Sequence, residues 1–326
     1  MSAPTLTPAV SSDLARHVAQ GLSRSPKTLS SMYFYDDEGS RLFQQIMALP
    51  EYYPTRTEFD LLEAHQVAIG AALRPSTPDE PFFLLELGAG DGLKTKILLR
   101  HLLETGANFT YVPVDISGAA LEGLVASLSQ ELPTLQVEPQ VTDYATALTL
   151  MASRPGRKAV LFLGSNIGNF LPADRRDFLS KLAHPLTAND RLLIGFDLQK
   201  DPRQIRAAYD DTQGVTAAFN LNLLTRLNRE LGADFELDYW QHYTDYDPLS
   251  GAVRSFLVST RQQQVRVEAL QQSFDFNAWE VIHTENSYKF TRTLIGQLAA
   301  EAGLAVQHFF TDTHDYFADV VLAPQS

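Results

Sequence analysis

The chain of 326 residues contains no cysteine. That excludes disulfides, thiolate nucleophiles and cysteine-ligated zinc. Long apolar runs are missing too. No stretch approaches the roughly 18 residues that mark a membrane-spanning helix. Residues 1–10 lack a basic segment followed by an apolar one, so no signal peptide is expected and the cytoplasm is the expected location. Positive charge is short: 26 Lys and Arg stand against 39 Asp and Glu, a formal net charge of −13, and no basic run exceeds two residues. Such a surface repels phosphate backbones and anionic bilayers, so neither nucleic acid nor membrane is an expected partner. There is no Gly-x-Ser-x-Gly elbow and no Gly-Lys-Ser/Thr after a glycine loop, which argues against a serine hydrolase and a P-loop enzyme. His283 and Glu285 are spaced i, i+2 rather than the i, i+4 of a helical zinc site, and no metal is expected.

What remains is an ordinary apolar share, 44%, enough for a sizeable core. A short helix is expected over 12–21. Residues 30–65 are dense in rings: Tyr33, Phe34, Tyr35, Phe43, Tyr52 and Tyr53. They predict either a helical subdomain with its own core or a lid whose tyrosines face a pocket. From 82 the pattern becomes strand, glycine loop, helix: an apolar run at 82–87, then Gly88-Ala89-Gly90-Asp91-Gly92, then helical spacing over 93–103. Further strands are expected at 111–114, 135–141, 158–163 and 191–197, alternating with helices, and Ser117 can cap the helix after the second. This is the pattern of a doubly wound, largely parallel α/β sheet. After 200 the rhythm breaks. A mostly helical stretch over 204–231 precedes strands at 235–246, 252–260 and 264–270. A helix at 291–302 and a hairpin of 305–311 with 316–322 close the chain.

In such sheets ligands sit at the carboxyl ends of the strands. Collected there are Glu86, Gly88, Gly90 and Lys94 from the first strand and Asp115 from the second. The third gives Asp143 and Tyr144, the fourth Gly164, Ser165 and Asn169. Glycines let a ligand approach the backbone, an acid after the second strand can accept both ribose hydroxyls, and an acid after the third can accept from an adenine amine. Together they point to an adenosine ligand, against the plain alternative of loop glycines and helix-capping aspartates. The dinucleotide fingerprint fails, because Leu93 stands where it wants its third glycine and Asp91 would face a diphosphate. S-adenosylmethionine (SAM), a sulfonium without phosphates, fits better than NAD.

Longer motifs then carry a resemblance. They are Tyr33-Phe34-Tyr35-Asp36, Leu49-Pro50-Glu51-Tyr52-Tyr53-Pro54-Thr55-Arg56-Thr57-Glu58, Phe162-Leu163-Gly164-Ser165-Asn166-Ile167-Gly168-Asn169, Ala208-Tyr209-Asp210-Asp211, Gly214-Val215-Thr216-Ala217-Ala218-Phe219-Asn220 and Thr284-Glu285-x-Ser287. Over almost the whole chain the sequence resembles the histidine Nα-methyltransferase family of ergothioneine biosynthesis, which forms histidine betaine. The resemblance implies a Rossmann-like class I methyltransferase sheet. It also implies a second, substrate-binding domain built from the N-terminal segment, 1–65, and an insertion, 200–288. The SAM-binding domain then spans 66–199 and resumes at 289–326. It implies that Gly88, Gly90, Lys94, Asp115, Asp143 and Tyr144 hold SAM. Asn169 and Tyr209 bind the substrate carboxylate and orient its amine, Tyr35 and Tyr52 line the pocket beside the reacting group, and Glu285 and Ser287 hydrogen-bond the imidazole. The chemistry needs little beyond holding a neutral amine on the S–CH₃ axis, and such positioning can supply roughly 7–11 kcal/mol.

One position departs. By its spacing to Glu285, Ser255 stands where the family's histidine enzymes carry methionine, and Phe256 where a tryptophan is familiar. A smaller residue leaves room beside the ring. Histidine is the expected substrate, with a modified histidine or another aromatic amino acid as the alternative. A protein-modifying methyltransferase and a non-catalytic SAM-binding module are the other classes. A monomer is expected.

Overall fold

The computed structural model describes residues 12–77 and 79–325; the Ser/Thr/Pro-rich residues 1–10 lie outside them. In chain order the first elements are α1 (Ser12–Leu22), β1 (Lys27–Thr28), α2 (Asp37–Met47), α3 (Tyr53–Leu73), β2 (Phe82–Leu87), α4 (Thr95–Glu104), β3 (Phe109–Asp115) and α5 (Gly118–Glu131). Next come β4 (Gln136–Val137), β5 (Gln140–Val141), α6 (Tyr144–Ser153), β6 (Arg157–Phe162), α7 (Pro172–Ala183), β7 (Arg191–Asp197), α8 (Pro202–Ala207) and α9 (Val215–Leu231). The remainder are β8 (Trp240–Asp247), β9 (Ala252–Ser259), β10 (Gln263–Val267), β11 (Gln272–Phe276), β12 (Val281–Tyr288), α10 (Arg292–Glu301), β13 (Leu304–Thr311) and β14 (Phe317–Pro324).

The described residues divide into two compact units. One joins the chain up to Tyr53 with Lys200–Ser287; the other joins Pro54–Gln199 with the chain from Tyr288 on. The break falls at the start of α3 rather than at the expected residue 65. The reason is packing: Leu61, Leu62, Ile69 and Leu73 of α3 are buried in the core of the second unit.

That second unit is built on an eight-stranded sheet in the order β13-β14-β7-β6-β2-β3-β4, with β5 also pairing with β3. Strands β3, β2, β6 and β7 are parallel, and β14 inserts antiparallel to β7. Both faces are covered, which is why β2 reads FFLLEL instead of alternating. Its neighbours Leu84 and Leu85 belong to opposite cores, as the period of two dictates. Leu85 joins Val112, Val160 and Phe162 under α7 and α10, whereas Leu84 joins Tyr111, Leu161 and Leu193 under α3, α4 and α5. The expected single strand over 135–141 is instead two short pieces, β4 and β5, split around Pro139, which has no N–H to give to a ladder. Ser117 caps α5 as expected, its hydroxyl accepting from the Ala120 N–H at 3.2 Å.

In the first unit a four-stranded sheet runs β1-β12-β9-β8. Its β8–β9 hairpin keeps one antiparallel register from Trp240↔Ser259 to Asp247↔Ala252. The core joins Phe34, Leu42 and Ile46 to Phe219, Leu223 and Leu227 of α9 and to Leu257 and Ile282 of the sheet. The aromatic N-terminal segment therefore supplies core as well as surface: Phe34 is fully buried, Tyr35 is 46% exposed. The strands β11 and β12 stand where the sequence reading placed none. In β12 the run His283-Thr284-Glu285-Asn286 hides the alternation that would have marked it.

Candidate active site

At the carboxyl end of β2 the chain turns through Gly88 at φ +75°. A Cβ there would also meet the Tyr144 hydroxyl at 2.8 Å, so both conformation and space require glycine. Asp115, at the end of β3, accepts the Gly90 N–H on Oδ2 at 3.0 Å and the Ser117 N–H on Oδ1 at 2.9 Å. One carboxylate thus ties two loops together and keeps further lone pairs for a ligand. Asp143 caps α6, accepting from the Thr146 N–H at 2.9 Å and its hydroxyl at 3.2 Å. The backbone bond is the chief cause that holds this carboxyl below its ordinary range. Tyr144 packs edge-on against Phe162, and burial, with Asp115 nearby, pushes its hydroxyl up, so it stays a neutral phenol. Leu93, Ile116 and Val141 leave apolar surface exposed at the same strand ends.

Lys94 is not free: its ammonium is ion-paired with Glu58 of α3, a carboxylate with 1% side-chain exposure. Glu58 also accepts the Gly164 N–H, at 2.8 Å. Asn169 is exposed at the end of the 3₁₀ turn Asn166–Asn169 that follows β6. Just before it, Ser165 stands at φ +56° and its hydroxyl accepts the Asp197 N–H at 2.8 Å. Asp197 in turn is ion-paired with Lys289 at 2.8 Å, both buried. Glu86 lies beneath the glycine loop. It accepts from the Thr95 and Tyr111 hydroxyls, and burial pushes its carboxyl up to about 7. Sequence reasoning missed Glu58, Lys289, Asp197 and Asp319. Of these, Asp197 and Asp319 are acids within apolar runs, which is the signal that could have found them, whereas Glu58 closes the Leu49–Glu58 motif without a role assigned to it.

In the other unit, Tyr209 follows α8, with its hydroxyl 2.8 Å from the Ser287 hydroxyl of β12. Its ring meets Tyr52 edge-on at 6.2 Å. Its backbone is fixed from β8: the Thr244 hydroxyl donates to the Tyr209 carbonyl at 3.1 Å, and His242 Nε2 lies 3.0 Å from the same oxygen. Tyr35 packs edge-on against Phe43 and Phe219. Glu285 lies two residues before Ser287 on β12 and is partly buried. The structure thus brings Tyr52, Tyr209 and Ser287 into contact and puts Tyr35 on the neighbouring ring cluster. Ser255 is 1% exposed on β9, directly across from Thr244. The Thr284 hydroxyl lies 3.0 Å from both the Ser255 carbonyl and Asn220 Oδ1. A row of small polar side chains therefore lines the inner face of this sheet.

The family model described as histidine-specific methyltransferase, SAM-dependent, matches residues 14–324. The chain belongs to that family. It is a SAM-dependent amino-acid N-methyltransferase with a class I methyltransferase sheet. Among its relatives is the histidine N-alpha-methyltransferase of Mycolicibacterium smegmatis, 41% identical over 299 residues that cover 92% of this chain and 91% of the relative. The ergothioneine biosynthesis protein 1 of Schizosaccharomyces pombe is 31% identical over 83% of this chain and 35% of its own length. The 4-dimethylallyltryptophan N-methyltransferase of Claviceps fusiformis is 27% identical over 90% of this chain and 87% of that protein.

The loops of this methyltransferase suit its cofactor. A Cβ at Gly88 would fill the approach to the strand end, Asp115 has acceptor capacity left, and exposed Leu93, Ile116 and Val141 offer apolar surface for a flat base. Among the described residues no helix is long and apolar enough to cross a membrane.

Proposed function

We propose that this enzyme methylates the α-amino group of free histidine, carrying the amine to its trimethylated betaine. The observation that carries the reading is the Tyr209–Ser287 hydroxyl pair with Glu285 beside it on β12. These groups suit a small zwitterion with a ring N–H. The half-buried Glu285 carboxylate can accept from that ring N–H, and an acceptor lacking the N–H forfeits this bond. Names of relatives at 40–41% identity support the same substrate.

SAM, when bound, supplies an electrophilic methyl on a sulfonium. Gly88, Gly90, Lys94, Asp115, Asp143 and Tyr144 would hold it. Asp115 would accept from the ribose hydroxyls, and Lys94 would pair with the carboxylate of the methionine moiety. On the substrate side, Tyr209 binds the carboxylate and Asn169 orients the amine. Tyr35 and Tyr52 shield the reacting nitrogen from water. The amine loses a proton before each attack, and solvent can take it. Catalysis is then positioning of a neutral nucleophile, and no residue has to form a covalent bond.

A second reading has one observation behind it. Ser255 is small, and a relative acts, by its name, on an indole amino acid. Another aromatic amino acid, or a ring-substituted histidine, is therefore the alternative. Incubation with labelled SAM and single amino acids separates the two. Label on histidine, progressing to the trimethylated product, is the expected result. Label solely on other acceptors, or on protein, overturns it.

A further inference from the structure

Beside Lys94 lies a second buried carboxyl. Asp319 of β14 is fully buried, and so is Glu58 of α3. Both approach Gly195 in β7. A Cβ there would overlap Glu58 Oε1 and sit 3.2 Å from Asp319 Oδ1, so glycine keeps the two acids together. Neither oxygen of Asp319 has a donor among the described atoms. Glu58 is served by the Gly164 N–H and by Lys94. One ammonium therefore stands against two carboxyls.

If both were ionised, Asp319 would be a buried anion with no hydrogen bond, which costs several kcal/mol. A proton on Asp319 removes that cost and gives it Glu58 as acceptor. Burial and then the Glu58 charge push Asp319 well above its ordinary range, with Lys94 opposing. The other ionisable groups at this cluster are Glu86 and Tyr111, hydrogen-bonded to each other.

We propose that Asp319 is a neutral acid whose proton is held by Glu58, and that this proton positions Lys94 for the cofactor carboxylate. With it, the trio Asp319, Glu58 and Lys94 has no net charge. Without it, the trio is net negative and repels the anion it has to receive. Asp319 and Glu58 are positioning residues acting through Lys94. This rests on the reading that Lys94 faces that carboxylate.

Infrared spectroscopy of the ligand-free protein tests the proton without any cofactor. In a Glu86→Gln background, which removes the other carboxyl raised to about 7, a carboxylic-acid C=O stretch at neutral pH should disappear in Asp319→Asn. It should also disappear in Glu58→Gln, where Asp319 is left to ionise against Lys94. Persistence of the full band in either variant overturns the shared proton. Calorimetry with SAM tests the consequence. Asp319→Ala leaves the trio neutral but removes the donor that fixes Glu58 and, through it, Lys94; it should weaken binding roughly tenfold, and Asp319→Asn, which keeps a neutral donor, should restore it. An asparagine variant of unchanged melting temperature that binds no better than the alanine one shows that the negative charge matters, and sinks the proposal. Wild-type protein that binds no SAM refutes the cofactor reading instead, while the infrared result still decides the proton.

Discussion

The two units of this enzyme solve different problems with different sheets. In the Pro54–Gln199 unit a mostly parallel sheet is apolar on both faces, and its polar groups gather at the strand ends. In the Lys200–Ser287 unit the inner face of the sheet carries the polar row Thr244, Ser255 and Thr284, with Asn220 of α9 against it. The first arrangement suits a ligand whose shape is fixed by a few loops. The second puts hydrogen-bonding groups, rather than apolar ones, on a buried face. Cofactor binding and substrate choice should therefore respond to different mutations.

The largest effect should be a pH dependence seated in the unit of the parallel sheet. Glu86 has its carboxyl pushed up to about 7 by burial. A group raised on folding contributes stability that is fully present below its unfolded value and lost as pH rises through the folded one. Wild-type stability should thus fall between about pH 4.5 and 7 by up to ~3 kcal/mol from this group. Glu86→Gln should lack that limb, read by denaturant unfolding at pH 5 and pH 8. Parallel pH profiles for the two proteins would show that Glu86 does not titrate there.

Next in size is Asp115→Ala. It should weaken SAM binding by roughly 1.5–3 kcal/mol, the scale of hydrogen bonds to a charged group. Calorimetry reads it, and the ranking of amino-acid acceptors should not change. A changed ranking would break the division of labour. On the other side, Tyr209→Phe removes the hydroxyl bonded to Ser287. It should raise KM for the amino acid by about 1 kcal/mol and leave SAM affinity alone. The smallest effect should come from Ser255→Met. Filling the space beside the ring should raise kcat/KM for histidine a few fold, roughly 1 kcal/mol at most, and lower it for bulkier acceptors. An unchanged ranking would take Ser255 away from the ring.

The contrast also explains what could be read from the sequence. Buried parallel strands announce themselves: the bounds 82–87 and 191–197 agree to the residue, because a strand covered on both faces is apolar along most of its length. The strand-end residues Gly88, Asp115 and Asp143 followed from topology alone. Substrate-side residues did not. Tyr209 lies in the turn after α8, Glu285 and Ser287 lie on a strand whose polar residues erase the alternation, and all three came through a family resemblance. Buried ion pairs such as Glu58–Lys94 and Lys289–Asp197 join residues distant in sequence, and no local pattern predicts them. Pro139 shows the opposite case, a visible breaker whose effect on one strand was legible and passed over.

The central claim is that Glu285 selects the imidazole while the glycine loop serves any acceptor. The direct measurement is kcat/KM for histidine, phenylalanine and tryptophan with wild type and Glu285→Ala, alongside SAM affinity. The account predicts a loss of at least tenfold for histidine, little change for the other two, and unchanged SAM binding. Equal losses for all three acceptors would contradict it and make Glu285 structural.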